Sequence, residues 1–167
     1  VMISSFRNTV GDWLDTTLGS DIYVSPPLLT ANRATVDVDP VVRDLVLNVD
    51  GIASVSTSRS TSVLAPDYPD MLPVNLVAVD YDISTDRQFV WNDAPNGDYR
   101  TALENGAVIV TEPFAFRRNI TREDHSITLI TDEGEHTFDI VGVYYDYATD
   151  QGTVLMYRDV YDTYFDD

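Results

Sequence analysis

The sequence contains no lysine and no cysteine, so all ten of its basic residues are arginine. Without cysteine, the chain can form no disulfide bond, no thiolate zinc site and no thiol nucleophile. Without lysine, it lacks the usual Schiff-base nucleophile and the lysine that holds phosphates in nucleotide-binding loops. These two absences exclude several classes of enzyme and of metalloprotein.

Glycine and long apolar runs are also scarce. Only 8 glycines occur in 167 residues, and the sequence has neither a Gly-x-x-x-x-Gly-Lys loop nor a Gly-x-Ser-x-Gly elbow. No stretch approaches the roughly 20 apolar residues that are needed to span a bilayer. The sequence therefore contains no recognisable nucleotide-binding loop, serine-hydrolase motif or membrane-spanning segment.

Acidic residues, in contrast, are abundant. The chain carries 28 Asp and Glu residues against 10 basic ones, which gives a formal net charge of −18. Such a field repels nucleic-acid backbones and anionic lipid headgroups, so the charge predicts no nucleic-acid partner. Hydrophobic residues make up 44% of the chain, which is enough to build a core and argues against disorder.

The two histidines, His125 and His136, flank a predicted hairpin and raise the question of a zinc site. Glu123, Asp124 and Glu135 lie beside them and could complete a ligand set across the hairpin. However, no helical His-Glu-x-x-His spacing accompanies them, and a chance Ser-His-Asp set proves little in a chain this acidic. We therefore predict no catalytic residues, no metal ligands and no cofactor-binding residues.

Calcium is the second metal to consider. Asp146, Asp150 and Gly152 are spaced somewhat like a calcium loop, but Tyr157 occupies the position where the bidentate acid is required. A second group of carboxylates forms an acidic edge that could bind calcium weakly: Asp80, Asp82 and Asp86. Both groups are better interpreted as solvated surface.

Apolar periodicity predicts an α+β fold. The predicted helices are 3–18, 40–49, 99–104, a turn from 112, and 157–165. The predicted strands are 21–25, 52–64, 76–79, 89–91, 108–110, 127–130, 137–145 and 154–156. Asp39 and Asp98 are expected to cap helices, Asp132-Glu133-Gly134 is expected to turn a hairpin, and the proline-rich loop 65–73 is interpreted as a boundary between lobes.

Tyrosines crowd the C-terminal quarter and permit two interpretations. They could form an aromatic belt at a membrane interface, or they could pack a helix on a sheet with their hydroxyls reaching water. Packing is the favoured interpretation. The residues are Tyr144, Tyr145, Tyr147, Tyr157, Tyr161 and Tyr164.

Several segments together resemble the extracytoplasmic domains of FtsX-like and MacB-like ABC transporter permeases. Residues 5–14, running into 21–25, resemble the stretch that follows the first membrane helix of that family. Residues 106–115 with 126–129 resemble its strand, short helix and hairpin, and residues 138–146 resemble its Val-Val-Gly-Val strand. Residues 152–158 then lead into a helix that would return the chain to the membrane.

The resemblance implies a two-lobed, MacB-like periplasmic core domain. Its membrane-proximal lobe would comprise residues 1–64 plus 137–167, and its inserted lobe residues 65–136. It further implies a cell-membrane protein whose outer domain couples hydrolysis by a cytoplasmic ATPase subunit to export or extraction of an amphiphile, lipoprotein or peptide.

A second permease copy is a further expected partner, and the family offers no catalytic residue or cofactor to transfer. This segment would lie on the extracytoplasmic side, adjoining membrane helices at both ends. The alternative is a free-standing secreted module that binds a ligand or calcium.

Overall fold

The computed structural model describes residues 22–25, 38–80, 87–146 and 149–166. The chain divides into two compact units, Val1–Val55 and Ser56–Asp167. The helix predicted at 3–18 lies outside the described residues. The two-lobed division, 1–64 plus 137–167 against 65–136, stays a prediction.

In the first unit, helix α1 spans Pro40–Leu47 and begins as the sequence predicts. The Asp39 carboxylate accepts a hydrogen bond from the Val41 amide at 2.9 Å, and Pro40 takes a position where no amide is needed. The helix ends two residues before the predicted limit. The strand predicted at 21–25 is wrong over its described part, because residues 22–25 are exposed and no described strand pairs with them.

The second unit is built on one mixed sheet, and the predicted α+β class is confirmed. Its strands are Ser58–Val63 (β1), Val74–Val79 (β2), Phe89–Asn92 (β3), Val108–Thr111 (β4), Ser126–Thr131 (β5), Gly134–Tyr144 (β6) and Val154–Tyr157 (β7). Its described helices are Tyr99–Glu104 (α2), Glu112–Arg118 (α3) and Arg158–Tyr164 (α4), and a short 3-10 turn, Pro95–Gly97, precedes α2.

The strands follow the order β1-β2-β7-β4-β6-β3, with β5 paired to β6 outside this path. The β2–β7 and β4–β6 pairs are parallel and the remaining pairs are antiparallel. Strand β6 is 11 residues long and has two sets of partners. Its first half forms the hairpin with β5, and its second half lies between β4 and β3.

Strand β1 is shorter than the predicted segment 52–64. The pairing with β2 begins at Ser58, opposite Val79. Just beyond, the Asp80 carboxylate accepts hydrogen bonds from the amide (2.6 Å) and the hydroxyl (2.7 Å) of Thr57. The Asp80 amide still donates to the Thr57 carbonyl at 3.2 Å, but the Thr57 amide bonds to the Asp80 carboxylate and not to its carbonyl, so regular pairing ends here.

Both faces of the sheet are covered. On one face, α3, α4 and the β5–β6 hairpin enclose the larger core, which includes Phe114, Phe138 and Tyr161. On the other face, α2 places Leu103 against Ile109, Tyr144 and Leu155. Successive residues of β4 and β7 alternate between the two cores, as the two-residue period of a strand requires.

Gly152 lies at the tightest point of this packing. A Cβ atom there would lie 2.4 Å from the Phe114 amide nitrogen and 2.5 Å from Thr111 Oγ1, and its φ is +72°. We expect Gly152→Ala to cost about 1–3 kcal/mol for the overlap in addition to about 1–2 kcal/mol for the left-handed backbone. Urea unfolding measures the loss. Gly97→Ala is the matched control, since Gly97 has φ +75° and open space around it; equal losses in the two variants would contradict the close packing.

The predicted cap of α2 provides a pH test. The Asp98 carboxylate accepts hydrogen bonds from the Thr101 hydroxyl (2.8 Å) and amide (3.1 Å), which hold the pKa of Asp98 below its usual value of 3.8. Because the pKa of Asp98 is lower in the folded state than in the unfolded state, the ionised carboxylate stabilises the fold at any pH above 3.8. This stabilisation is lost as the pH falls through the folded-state pKa. We expect Asp98→Ala to lower the Tm at neutral pH and the deficit to disappear in acid. Melting curves of both proteins across pH would refute this if the deficit were constant.

Candidate functional site

An apolar groove lies between the proline-rich loop 64–73 and the β5–β6 hairpin. Its volume is about 260 Å³. Leu64 and Leu72 are 58% and 63% exposed, so the groove presents large aliphatic side chains to solvent. The lining residues are Leu64, Ala65, Pro66, Tyr68, Pro69, Met71, Leu72, Pro73 and Ile130. A concave surface lined mainly by apolar side chains is a candidate binding site.

Backbone and side-chain hydrogen bonds fix the loop against the outer edge of β5. The Ile130 amide donates to the Leu64 carbonyl at 2.9 Å, and the Thr128 amide donates to the Asp67 carboxylate at 3.2 Å. These two bonds satisfy amides that β6 leaves unpaired, so the loop covers an edge that would otherwise be free to pair. The wall of the groove formed by Leu64 and Ile130 is therefore hydrogen-bonded to the sheet; the other wall is formed by Tyr68 and Leu72.

The guanidinium of Arg118 lies behind the other wall. Its carbon is 4.0 Å from the ring centre of Phe114 and 5.5 Å from that of Tyr68. Its Nη2 donates to the Leu72 carbonyl at 3.4 Å, and the Tyr68 hydroxyl donates to the Arg118 carbonyl at 3.3 Å. Arg118 is only 6% exposed, and its Nε and Nη1 atoms are buried with no hydrogen-bond partner in the part of the chain that the structure describes.

Burial shifts the pKa of both the Arg118 guanidinium and the Tyr68 hydroxyl. Desolvation is the main reason that the pKa of Arg118 is lowered, with Tyr68 acting in the opposite direction and Arg117 in the same one. Desolvation likewise raises the pKa of the Tyr68 hydroxyl, and the neighbouring Asp67 adds to that rise.

Carboxylates surround the groove. Asp67 and Asp70 lie in the loop, and Glu135 is directly opposite Ile130 in the hairpin, on the same face of the sheet. All three are exposed. None of them forms an ion pair with another part of the chain that the structure describes.

The hairpin also holds the end of α4. The Asp132 amide donates to the Tyr164 carbonyl at 3.1 Å, and the Asp132 carboxylate accepts from the Asp166 amide at 2.8 Å. The Tyr164 ring packs on His136, with centroids 4.1 Å apart, and on Phe138 at 5.4 Å. We name this set of contacts the hairpin clamp; it begins two residues beyond the groove residue Ile130.

The structure does not bring the two histidines together. The Ile140 amide bonds to the His125 carbonyl, whereas His136 pairs with Leu129. Their positions along β6 thus differ by four residues, or about 13 Å. His136 packs against Phe138 and Tyr164, and its neighbour Glu135 points to the opposite face of the strand. His125 contacts Trp91 instead.

The acidic groups have structural contacts where they are described. Asp150 accepts from Arg117 Nε through its carbonyl (2.7 Å) and joins Arg117 Nη2 through its carboxylate (3.5 Å). Asp80 bonds to Thr57, and its predicted companions Asp82 and Asp86 lie outside the described residues. Over the described ranges, no three His, Asp or Glu side chains are grouped so that they could hold a metal ion.

The packing interpretation of the tyrosines is correct for Tyr144 and Tyr161, and Tyr157 and Tyr164 also pack, partly buried, against the cores. Tyr144 and Tyr161 are about 1% exposed and lie in the two cores, with the Arg87 guanidinium over the Tyr144 ring at 4.6 Å. Tyr164 is partly buried in the hairpin clamp, and Tyr145 is 47% exposed. Tyr147 lies outside the described residues.

The sequence reasoning missed both the groove and Arg118. The loop 65–73 was interpreted only as a boundary, although Met71 and Leu72 interrupt its polar and proline-rich pattern, and Leu64 was assigned to the preceding strand. Arg118 follows Phe114 by four residues, so helical spacing places it on the buried face of α3. An arginine on the apolar face of a short helix is the sequence signal that could have identified Arg118 as a buried charge.

Comparison with known proteins supports the resemblance to ABC transporter permeases. The whole chain is 38% identical, over 173 aligned residues, to an uncharacterized ABC transporter permease protein of Mycobacterium tuberculosis. The chain spans 20% of that relative's length. No protein-family profile matches the chain, and no solved structure matches it either. None of the helices in the described ranges is long and apolar enough to cross a membrane.

Variants at Tyr68 test how the groove wall is held. Tyr68→Phe removes only the hydroxyl bond to the Arg118 carbonyl, so we expect a loss of less than about 1 kcal/mol. Tyr68→Ala also removes the ring that covers the guanidinium, and we expect a loss of about 2 kcal/mol, less than for a fully buried ring. Chemical denaturation with amide exchange across 64–73 measures both. Equal losses would show that the ring contributes nothing.

Proposed function

We propose that this chain is the extracytoplasmic domain of an ABC transporter permease of the FtsX-like or MacB-like type. It acts as a coupling module and not as an enzyme. The similarity of the whole chain to an ABC transporter permease carries the proposal. The narrower FtsX-like or MacB-like assignment rests on the resemblance of segments 106–115, 126–129 and 138–146.

In this proposal the domain binds an amphiphile, a lipoprotein or a peptide at the apolar groove. The groove is concave, and Leu64, Met71, Leu72 and Ile130 expose between 41% and 63% of their surface. An apolar ligand bound here would remove these side chains from water, which favours binding. The structure offers an apolar ligand a ready contact at this position.

The hairpin clamp provides the mechanical connection. Ile130 contributes to the groove, and Asp132 binds the end of α4 through Tyr164 and Asp166. In a permease, the segment after α4 returns to the membrane. A change in the groove would therefore reach the membrane helices through two residues of β5 and the turn of the hairpin.

The partners follow from the class of protein. A cytoplasmic ATPase subunit binds and hydrolyses ATP, moves the membrane helices, and is linked to this domain only through them. A second permease copy would complete the transporter. Coupling requires that the bound and free states of the domain favour different positions of α4, because a ligand shifts an equilibrium only by its differential affinity.

The coupling is testable at the hairpin clamp. Asp132→Ala removes the acceptor of the Asp166 amide, and we expect it to reduce amphiphile-stimulated ATP hydrolysis about fivefold or more. The assay uses the full permease reconstituted with its ATPase in proteoliposomes. Asp139→Ala is the matched control, because Asp139 is an exposed carboxylate on the same hairpin. The same reduction in both variants would contradict a specific role for the clamp.

The native gene distinguishes this proposal from a free-standing secreted module. Apolar spans of about 20 residues on both sides of the segment would support a permease. A gene that encodes this domain alone behind a cleavable signal peptide would refute it. Thermal-shift measurements with calcium would then be the next experiment on the alternative module.

A further inference from the structure

Arg118 presents an unusual contrast with its surroundings. The chain has 28 acidic residues, yet no carboxylate in its described ranges pairs with this nine-tenths-buried guanidinium. A buried charge is costly unless it is paired and hydrogen-bonded. Two of its nitrogens, Nε and Nη1, have no hydrogen-bond partner among the described residues. The aromatic rings of Phe114 and Tyr68 compensate only part of this cost.

The position of Arg118 connects it to the groove. Two groove-lining residues, Tyr68 and Leu72, separate the guanidinium from solvent. The bond from Arg118 Nη2 to the Leu72 carbonyl is 3.4 Å long, beyond the usual 2.7–3.2 Å for such bonds. A ligand atom can take the place of this carbonyl when Leu72 is displaced, and the bond that the displacement breaks is a weak one.

The local charge favours an anion despite the acidic surface. Asp67, Asp70 and Glu135 are exposed, and their field is reduced by water and by salt over about 8–10 Å. Arg118 is desolvated, and charges interact several times more strongly in such an environment than in water. Guanidinium is also well suited to a planar carboxylate, which accepts from two of its donors together. For a ligand carboxylate in direct contact with Arg118, we expect this attraction to exceed the screened repulsion of the three exposed carboxylates.

The size of the groove limits the apolar part of the ligand. Its volume of about 260 Å³ is below the roughly 300–1,000 Å³ of sites that enclose a whole drug-sized molecule. One aliphatic chain can lie along Leu64, Met71, Leu72 and Ile130. Lipids with several acyl chains would leave most of their apolar surface in water.

We propose that the groove binds a single-chain amphiphile with a carboxylate headgroup. Its chain lies in the groove, and its carboxylate replaces the Leu72 carbonyl as the partner of Arg118. This inference rests on the proposed function, because it takes the groove as the amphiphile-binding surface. It adds the headgroup and the residue that selects it.

The test uses three probes with the same ten-carbon chain, each below its micelle-forming concentration: decanoate, decyltrimethylammonium and decyl maltoside. Isothermal titration with the 167-residue chain should show decanoate binding at least tenfold more tightly than decyltrimethylammonium. Arg118→Met should abolish that preference and leave the affinity for decyl maltoside unchanged. Methionine fills much of the same buried volume, and replacing a buried charge by an apolar residue need not destabilise a fold.

Arg117→Met is the matched control. It changes the net charge equally and lies next to Arg118, but its guanidinium is exposed and faces Asp150. We expect it to bind decanoate as the wild type does. Circular dichroism and melting curves of each variant establish that the fold is intact. If Arg118→Met does not fold, Arg118→Lys, which keeps the charge, serves as a second variant. Arg118→Lys should retain a preference for decanoate over decyltrimethylammonium.

Four results would overturn the inference. Tighter binding of decyltrimethylammonium would mean that the surrounding carboxylates select the ligand, as they would for a cationic peptide. Unchanged decanoate affinity in Arg118→Met would remove Arg118 from recognition. Equal affinity for all three probes would refute headgroup selection while leaving the proposed function intact. Binding of none of them would remove the groove from both proposals.

Discussion

Strand β6 is longer than any of its partners, and the arrangement of the second unit depends on that length. Its 11 residues span two environments: β5 covers the first half, and β3 and β4 hold the second half inside the sheet. Because one continuous strand belongs to both, the hairpin cannot move independently of the sheet without breaking β6. The groove and the hairpin clamp are therefore connected to the core through β6, and any shift of the hairpin must bend that strand.

The same constraint explains why an apolar groove persists on a stable unit. The outer edge of β5 needs partners for its amides, and the loop supplies them through Leu64 and Asp67. Once the loop is fixed there, its leucine and methionine side chains face solvent, and Arg118 is enclosed beneath Tyr68. Exposed apolar side chains and an unpaired buried charge both reduce stability, so their coexistence at one place points to function.

Local signals in the sequence predicted the local features of the fold. The caps at Asp39 and Asp98 and the hairpin turn are confirmed, because each depends on residues within a few positions of one another. The parallel β2–β7 and β4–β6 pairs were not predicted, since side-chain alternation does not identify a distant partner strand. The groove was missed for a similar reason: Leu64 and Ile130 are 66 positions apart in sequence (130 − 64) and meet only in the folded sheet.

The two proposals depend on one short piece of backbone. Ile130 lies in β5, Asp132 is the first residue of the hairpin turn two positions later, and together they join the groove to the end of α4. A ligand that displaces Leu72 exchanges a weak bond to Arg118 for a stronger one, but it leaves the bond between Ile130 and Leu64 in place. The hairpin must then either accommodate the new position of the loop or shift with it. Because the turn is fixed to Tyr164 and Asp166, a shift of the hairpin moves the end of α4, and this is how occupancy of the groove would be transmitted along the chain.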